Sequence, residues 1–323
     1  MTAKPLTQIA SIAWEHPADR AALNTLRALP GFDELLRKVM SLLGERGVRN
    51  LFTANAVRVG PRQRPKFNAL FDEVLHTMDW PERPDLFVSQ SPVANAMAVG
   101  FDKPFIVVNS AAIDILDWDE RRVLLGHELG HVMSGHATYT TLAMIILRIG
   151  FSNIPGLGLI ALPVQLALLE WSRKAELSSD RAGLLATQDP MASMRLFLKF
   201  AGGITTDDEL DLDEFLAQAQ EYEERGGALD AIFRVLNVAL RTHPFNTVRA
   251  AELQRWIHTG AYDRIVNGDY PHRGDNDRPL SDDYAEAAGY YRNEAQSAVE
   301  TVKDALRGAR DAFNNAYRNA TSK

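Results

Sequence analysis

Cysteine is absent from all 323 residues. Disulfides and thiolate metal ligands are thereby excluded, so any zinc site must be built from histidine and carboxylate. Basic runs are missing too. No block of five or more lysines and arginines occurs, and a formal charge of −7 argues against nucleic acid as the main partner. The opening "MTAKPLTQIASIAWEHPADR" has no basic n-region, no continuous apolar core and no small-residue cleavage site. The cytoplasm is therefore the expected compartment. Also lacking is an apolar run of the roughly 20 residues that cross a bilayer. Two shorter stretches, 142–151 and 157–169, flank a break at "SNIPG", and Pro163 and Gln165 interrupt the second. The expectation for this 138–170 insert is a buried helical hairpin, with contact to a membrane surface or partner as the alternative.

What is present reads as one large globular domain with appendages. At 46% hydrophobic and 24% charged residues the chain is long enough to bury a sizeable core. Residues 1–64 form a helical N-terminal region, with two helices expected over 17–47. A further helix carries Phe67, Leu70, Phe71, Val74 and Leu75 on one face. The short β-rich runs "DLFVSQ", "NAMAVGF" and "PFIVVNS" predict a small antiparallel sheet over 85–109. Helical spacing returns at "WDERRVLLGHELGHVMSGH" and continues over 173–267. Residues 268–283 read as a polar linker. Beyond them Val299, Val302, Leu306, Ala309 and Phe313 recur at three- and four-residue steps, which predicts an amphipathic helix over 284–323 that needs a partner surface. The fold class is α+β and mostly helical.

Of eight histidines, three fall in "LLGHELGHVMSGH", residues 124–136. On a helix, His127 and His131 are about 40° apart around the axis and about 6 Å apart along it, so both imidazoles suit one zinc ion. Glu128 is rotated about 100° from His127. There it is poorly placed as a third ligand to the same ion but well placed to take a proton from a metal-bound water. His136, five residues after His131, would turn about 140° off that face, which speaks against it as a ligand. A zinc hydrolase needs one more protein ligand and an open position. The run "WSRKAELSSDRAG" offers Glu176 and Asp180, also four apart. By spacing alone Glu176 is either that ligand or a surface residue with helix partners such as Lys174 and Arg181. Asp180 is placed to hydrogen-bond a ligand histidine.

"HELGH", then "SRKAELSSDRAG" beyond the apolar insert, then "THPFNTVRAAEL", resembles the heat-shock protease X and CAAX-prenyl-protease family of gluzincin metallopeptidases. The resemblance covers about 65–267 and implies a zincin-like catalytic domain with one Zn2+ per chain. His127, His131 and Glu176 would be its ligands, Glu128 the general base, and Asp180 the aspartate that orients the first histidine. It further implies that His243 steadies the oxyanion and that Arg249 pairs with a carboxylate or a substrate group. Asn95, Ala96, Met97 and Ala98 would form an edge strand along which a polypeptide substrate lies antiparallel. The expected function is a zinc-dependent endopeptidase, with a role in protein quality control. The alternatives are a binding module with a latent zinc site and a zinc hydrolase of non-peptide amides.

Overall fold

A computed structural model describes residues 3–29, 32–149, 161–203, 210–224 and 244–275. His243, the middle of the apolar insert, the linker beyond residue 275 and the expected C-terminal helix lie outside the described residues.

A short 3-10 turn precedes α1 (Pro17–Arg27) and α2 (Phe32–Thr53), which bends at Gly44 where φ is 59°. Then come β1 (Ala56–Arg58), α3 (Pro65–Thr77), β2 (Asp85–Ser89), β3 (Ala96–Val99) and β4 (Phe105–Asn109). Helices follow: α4 (Ser110–Ile115), α5 (Trp118–Met133), α6 (Ala137–Ile149), α7 (Ala161–Thr187), α8 (Pro190–Gly202), α9 (Leu212–Glu224), α10 (Asn246–His258) and α11 (Ala261–Val266). Local chemistry sets several boundaries. Asp117 and Glu120 form a reciprocal capping box that opens α5. Asp189 caps α8 with Pro190 in its first turn, so "QDP" separates α7 from α8.

The strands lie in the order β1-β2-β4-β3, which makes β3 an edge. The sheet is mixed rather than antiparallel throughout, because β2 and β4 run parallel. After β2 the chain crosses to the far side of β4, forms β3 there, and returns through a tight turn into β4. Gly100 opens that turn at φ 128°, and a Cβ there would meet the Pro104 Cα at 2.9 Å.

Both sheet faces are covered, which is why "FIVVN" is apolar without alternation. Leu86, Val88, Ile106 and Val108 face a core completed by α3, α5, α7 and α8. Phe67, Leu70, Phe71, Val74 and Leu75 of α3 all enter it, as their spacing predicts. Phe87, Val99, Phe105 and Val107 face a second core with α1, α2, α6 and the first turns of α7. Leu142, Ile145, Ile146, Val164 and Leu168 of the apolar insert are buried there. Among the described residues no helix is long and apolar enough to cross a membrane.

Candidate functional site

The site forms where α5 crosses α7, and small residues let the two helices approach. A Cβ on Gly126 would lie 2.3 Å from the Ala186 Cβ, and one on Gly130 would lie 2.5 Å from the Ala182 Cβ. On the opposite helix, a Cβ on Gly183 would meet the Val123 carbonyl oxygen at 2.8 Å. Gly126 and Gly130, one on either side of "HEL", and Gly183 opposite them bring the α5 histidines against the α7 carboxylates.

His127 Nε2 and His131 Nε2 are 3.2 Å apart. Glu176 closes the group, with Oε2 at 3.4 Å from His127 Nε2 and Oε1 at 3.3 Å from His131 Nε2. Ligand atoms of all three residues lie within 4.8 Å of one another, and all three residues are buried. Two imidazole lone pairs aimed at each other repel unless a cation lies between them. Two nitrogens and one carboxylate oxygen form a donor set that suits zinc and leaves a coordination position open. The residues therefore fit the ion that the sequence pattern implies. Burial pushes the His131 imidazole down to about 4. Burial also opposes charge on His127, but its contacts with Asp180 and Glu176 outweigh this and lift it to about 10.

Each histidine is held from behind. His127 Nδ1 donates to Asp180 Oδ1 at 3.0 Å, which leaves Nε2 free to bind metal. Arg249 on α10 grips the same carboxylate with two nitrogens, Nε to Oδ2 at 2.9 Å and Nη2 to Oδ1 at 2.5 Å. Burial alone would raise Asp180, but this guanidinium holds it below the usual carboxylate range. Of the two partners open to Arg249 in the sequence reading, the structure shows a carboxylate.

Behind His131 stands His136, with the two Nδ1 atoms 3.1 Å apart. His136 is not in the ligand group, but the helical angle is not the reason, since α5 ends at Met133. Gly135 adopts φ 70°, the His136 amide donates to the His131 carbonyl at 2.9 Å, and the Gly135 amide to that of Val132 at 3.1 Å. This Schellman turn folds His136 back onto His131. His136 Nε2 in turn meets Asp19 Oδ2 at 3.1 Å, and the Ser178 hydroxyl donates to the same oxygen at 2.6 Å. Asp19 lies on α1, far from the zinc motifs in sequence. Nothing short of the tertiary structure brings it here.

Glu128 is buried, and burial pushes its carboxyl up to about 7. It accepts a hydrogen bond from the Ala98 amide, while Oε2 has no partner among the described residues. Asn95 O accepts from the Asn109 amide across the ladder, so the alternate residues Ala96 and Ala98 turn their backbone groups away from β4, to an edge that no described strand pairs and where the Ala98 amide meets Glu128. Asn95, Ala96, Val123, Leu124, Leu196 and Phe200 line the cleft together with His127, Glu128 and Glu176. The structure places His127, Glu128, His131, Glu176, Asp180, Arg249, Asn95 and Ala96 around one cleft and Ala98 against Glu128, while Met97 packs against the second core and His243 lies outside the described residues.

Comparison with known proteins agrees with this geometry. The chain is 34% identical over 258 residues to the plastoglobule-localized metallopeptidase 48 of Arabidopsis thaliana, spanning 78% of this chain and 74% of that one. It is 27% identical over 227 residues to the protease HtpX homolog of Pseudarthrobacter chlorophenolicus, spanning 62% and 75%. With protease HtpX of Acinetobacter baylyi it shares 27% identity over 207 residues, spanning 54% and 66%. No solved structure matches. The model of peptidase family M48 matches residues 61–257, a span that carries the histidine pair, both α7 carboxylates and Arg249. This chain belongs to peptidase family M48, a family of metallopeptidases.

Proposed function

We propose that this chain is a zinc-dependent endopeptidase that hydrolyses polypeptides in the cleft between β3 and α5. The observation that carries this reading is the buried His127–His131–Glu176 group with Glu128 beside it. A structural metal site needs no such base. His127, His131 and Glu176 would hold the zinc, which when bound would supply Lewis-acid polarisation of a scissile carbonyl and acidify water near neutral pH. Glu128 takes the proton of the attacking water and passes it to the leaving amine. Asp180 and Arg249 hold the His127 ring in place. His243 is assigned to the developing oxyanion.

The substrate backbone pairs with the edge of β3, at the backbone groups of Ala96 and the carbonyl of Ala98, with Asn95 and Met97 completing the strand. Such pairing reads the main chain and accepts many sequences, as quality control requires. The catalytic unit is assigned to residues 65–267. Where described, the apolar insert contributes to the core, so contact with a membrane or partner is assigned to the helix expected over 284–323. The Arabidopsis relative's name, plastoglobule-localized, supports a location at a lipid surface.

Glu128→Gln tests the central assignment. The variant is expected to retain zinc at wild-type stoichiometry and to lose casein cleavage by at least the ~100-fold typical of a lost general base. Undiminished cleavage would remove Glu128 from the mechanism. Chelator inhibition that zinc reverses separates this reading from a latent-site binding module, and cleavage of a protein separates it from a non-peptide amidase.

A further inference from the structure

We infer that Asp19, acting through His136, is a positioning residue for the zinc ligand His131, which makes the N-terminal helix part of the metal site. The inference rests on the zinc reading above and goes beyond the matched family span, which begins at residue 61. His127 has its support from Asp180 within that span. Among the described residues of that span no carboxylate meets His131 Nδ1; its partner there is His136, and the carboxylate behind His136, Asp19, comes from outside the span.

If His131 Nε2 is kept for the metal, one arrangement of protons satisfies both contacts. With His131 Nε2 turned to the ligand group, its ring proton resides on Nδ1. That N–H donates to His136 Nδ1 at 3.1 Å. His136 must then carry its proton on Nε2, which donates to Asp19 Oδ2 at 3.1 Å. The reversed order would put a proton on His131 Nε2 and block the metal. Asp19, as an acceptor without protons, selects the productive order and so fixes the His131 tautomer and ring orientation. Asp19 is itself held by the Ser178 hydroxyl at 2.6 Å, and Ser178 Oγ accepts from the His16 amide at 2.9 Å. His16 caps α1 by accepting from the Ala18 amide, so the helix start and the acceptor are locked to α7 together. Asp19 and His136 are 1% and 2% exposed, so water does not replace either contact.

Zinc affinity measured by competition with a chromogenic chelator tests the inference, using full-length protein and zinc alone as the probe. Asp19→Ala and His136→Phe are each expected to weaken binding about 10- to 100-fold, the usual effect of removing an outer partner of a ligand histidine. Asp19→Asn, whose amide oxygen still accepts from His136 Nε2, is expected to fall between wild type and Asp19→Ala. Asp19→Asn added to His136→Phe should weaken binding no further, because Asp19 reaches the metal only through His136. Leu26→Ala, which loosens the same helix away from the chain of contacts, is the control; it should lower the melting temperature of zinc-free protein and bind zinc within about twofold of wild type. Wild-type affinity in Asp19→Asn and His136→Phe, or an equal loss in Leu26→Ala, overturns the inference. Failure of wild-type protein to bind zinc would overturn the zinc reading itself and this inference with it.

Discussion

Arg249 shows how one residue supports a metal site from its wall, gripping Asp180 and lying 3.6 Å from Glu176 Oε2. Its guanidinium is buried, forked onto Asp180 and stacked over Phe197 at 5.0 Å. Replacing it with leucine leaves a buried carboxylate without its counter-charge, a change that typically costs about 3–5 kcal/mol. The Arg249→Leu urea midpoint in zinc-free buffer should fall accordingly, and Arg249→Lys should recover only part, since a lysine keeps the charge and loses the fork. An unchanged midpoint in Arg249→Leu would show that the pair contributes nothing to folding. The HExxH spacing made His127, His131 and Glu128 legible, because a helix turns a four-residue step into one face. Glu176 and Asp180 were legible as a pair with two readings. A surface glutamate and a ligand share the same spacing, and only the resemblance and then the 3.3–3.4 Å contacts favour the ligand.

At the scale of elements, the α5–α7 crossing depends on the absence of side chains. Both Gly126 and Gly130 face alanine methyls on a rigid helix, at distances far inside the roughly 3.5–4.0 Å of ordinary carbon contact. Gly130→Ala should therefore push the helices apart, destabilise the fold by about 1–3 kcal/mol and weaken zinc binding by moving Glu176 from the histidines. Adding Ala182→Gly should restore both properties, since it removes the opposing methyl and its helix-propensity cost offsets the gain at position 130. A double variant no better than Gly130→Ala would show that steric contact at this crossing is not the cause. The glycines stood in the quoted motif, but helix periodicity assigns them no role, because what excludes a side chain there belongs to the other helix. Likewise the all-antiparallel sheet was a fair expectation from short β-rich runs. The parallel β2–β4 pair arises because β3 lies on the far side of β4, and no local pattern records strand order.

For the whole molecule, metal and fold are linked. A ligand that binds only the native state stabilises by about 4 kcal/mol at about 1,000 times its Kd. Saturating zinc should thus raise the melting temperature of wild-type protein and of Glu128→Gln alike, while His131→Ala should show no such shift. Equal melting temperatures for wild type with zinc and with chelator would mean that the site does not hold the ion in the native state. The sequence by itself determined the chemistry: the absence of cysteine restricted the ligands to imidazole and carboxylate, and helical spacing aligned His127 with His131 and Glu176 with Asp180. It also determined that α3 and the strands would be buried, since their apolar patterns have no other use. Only the tertiary structure decided which distant residues complete the site. Asp19 reaches His131 through His136, and Arg249 reaches His127 through Asp180, across separations of more than a hundred residues. Those contacts arise because packing α1 and α10 against α7 buries apolar surface, and that force carries no sequence spacing of its own.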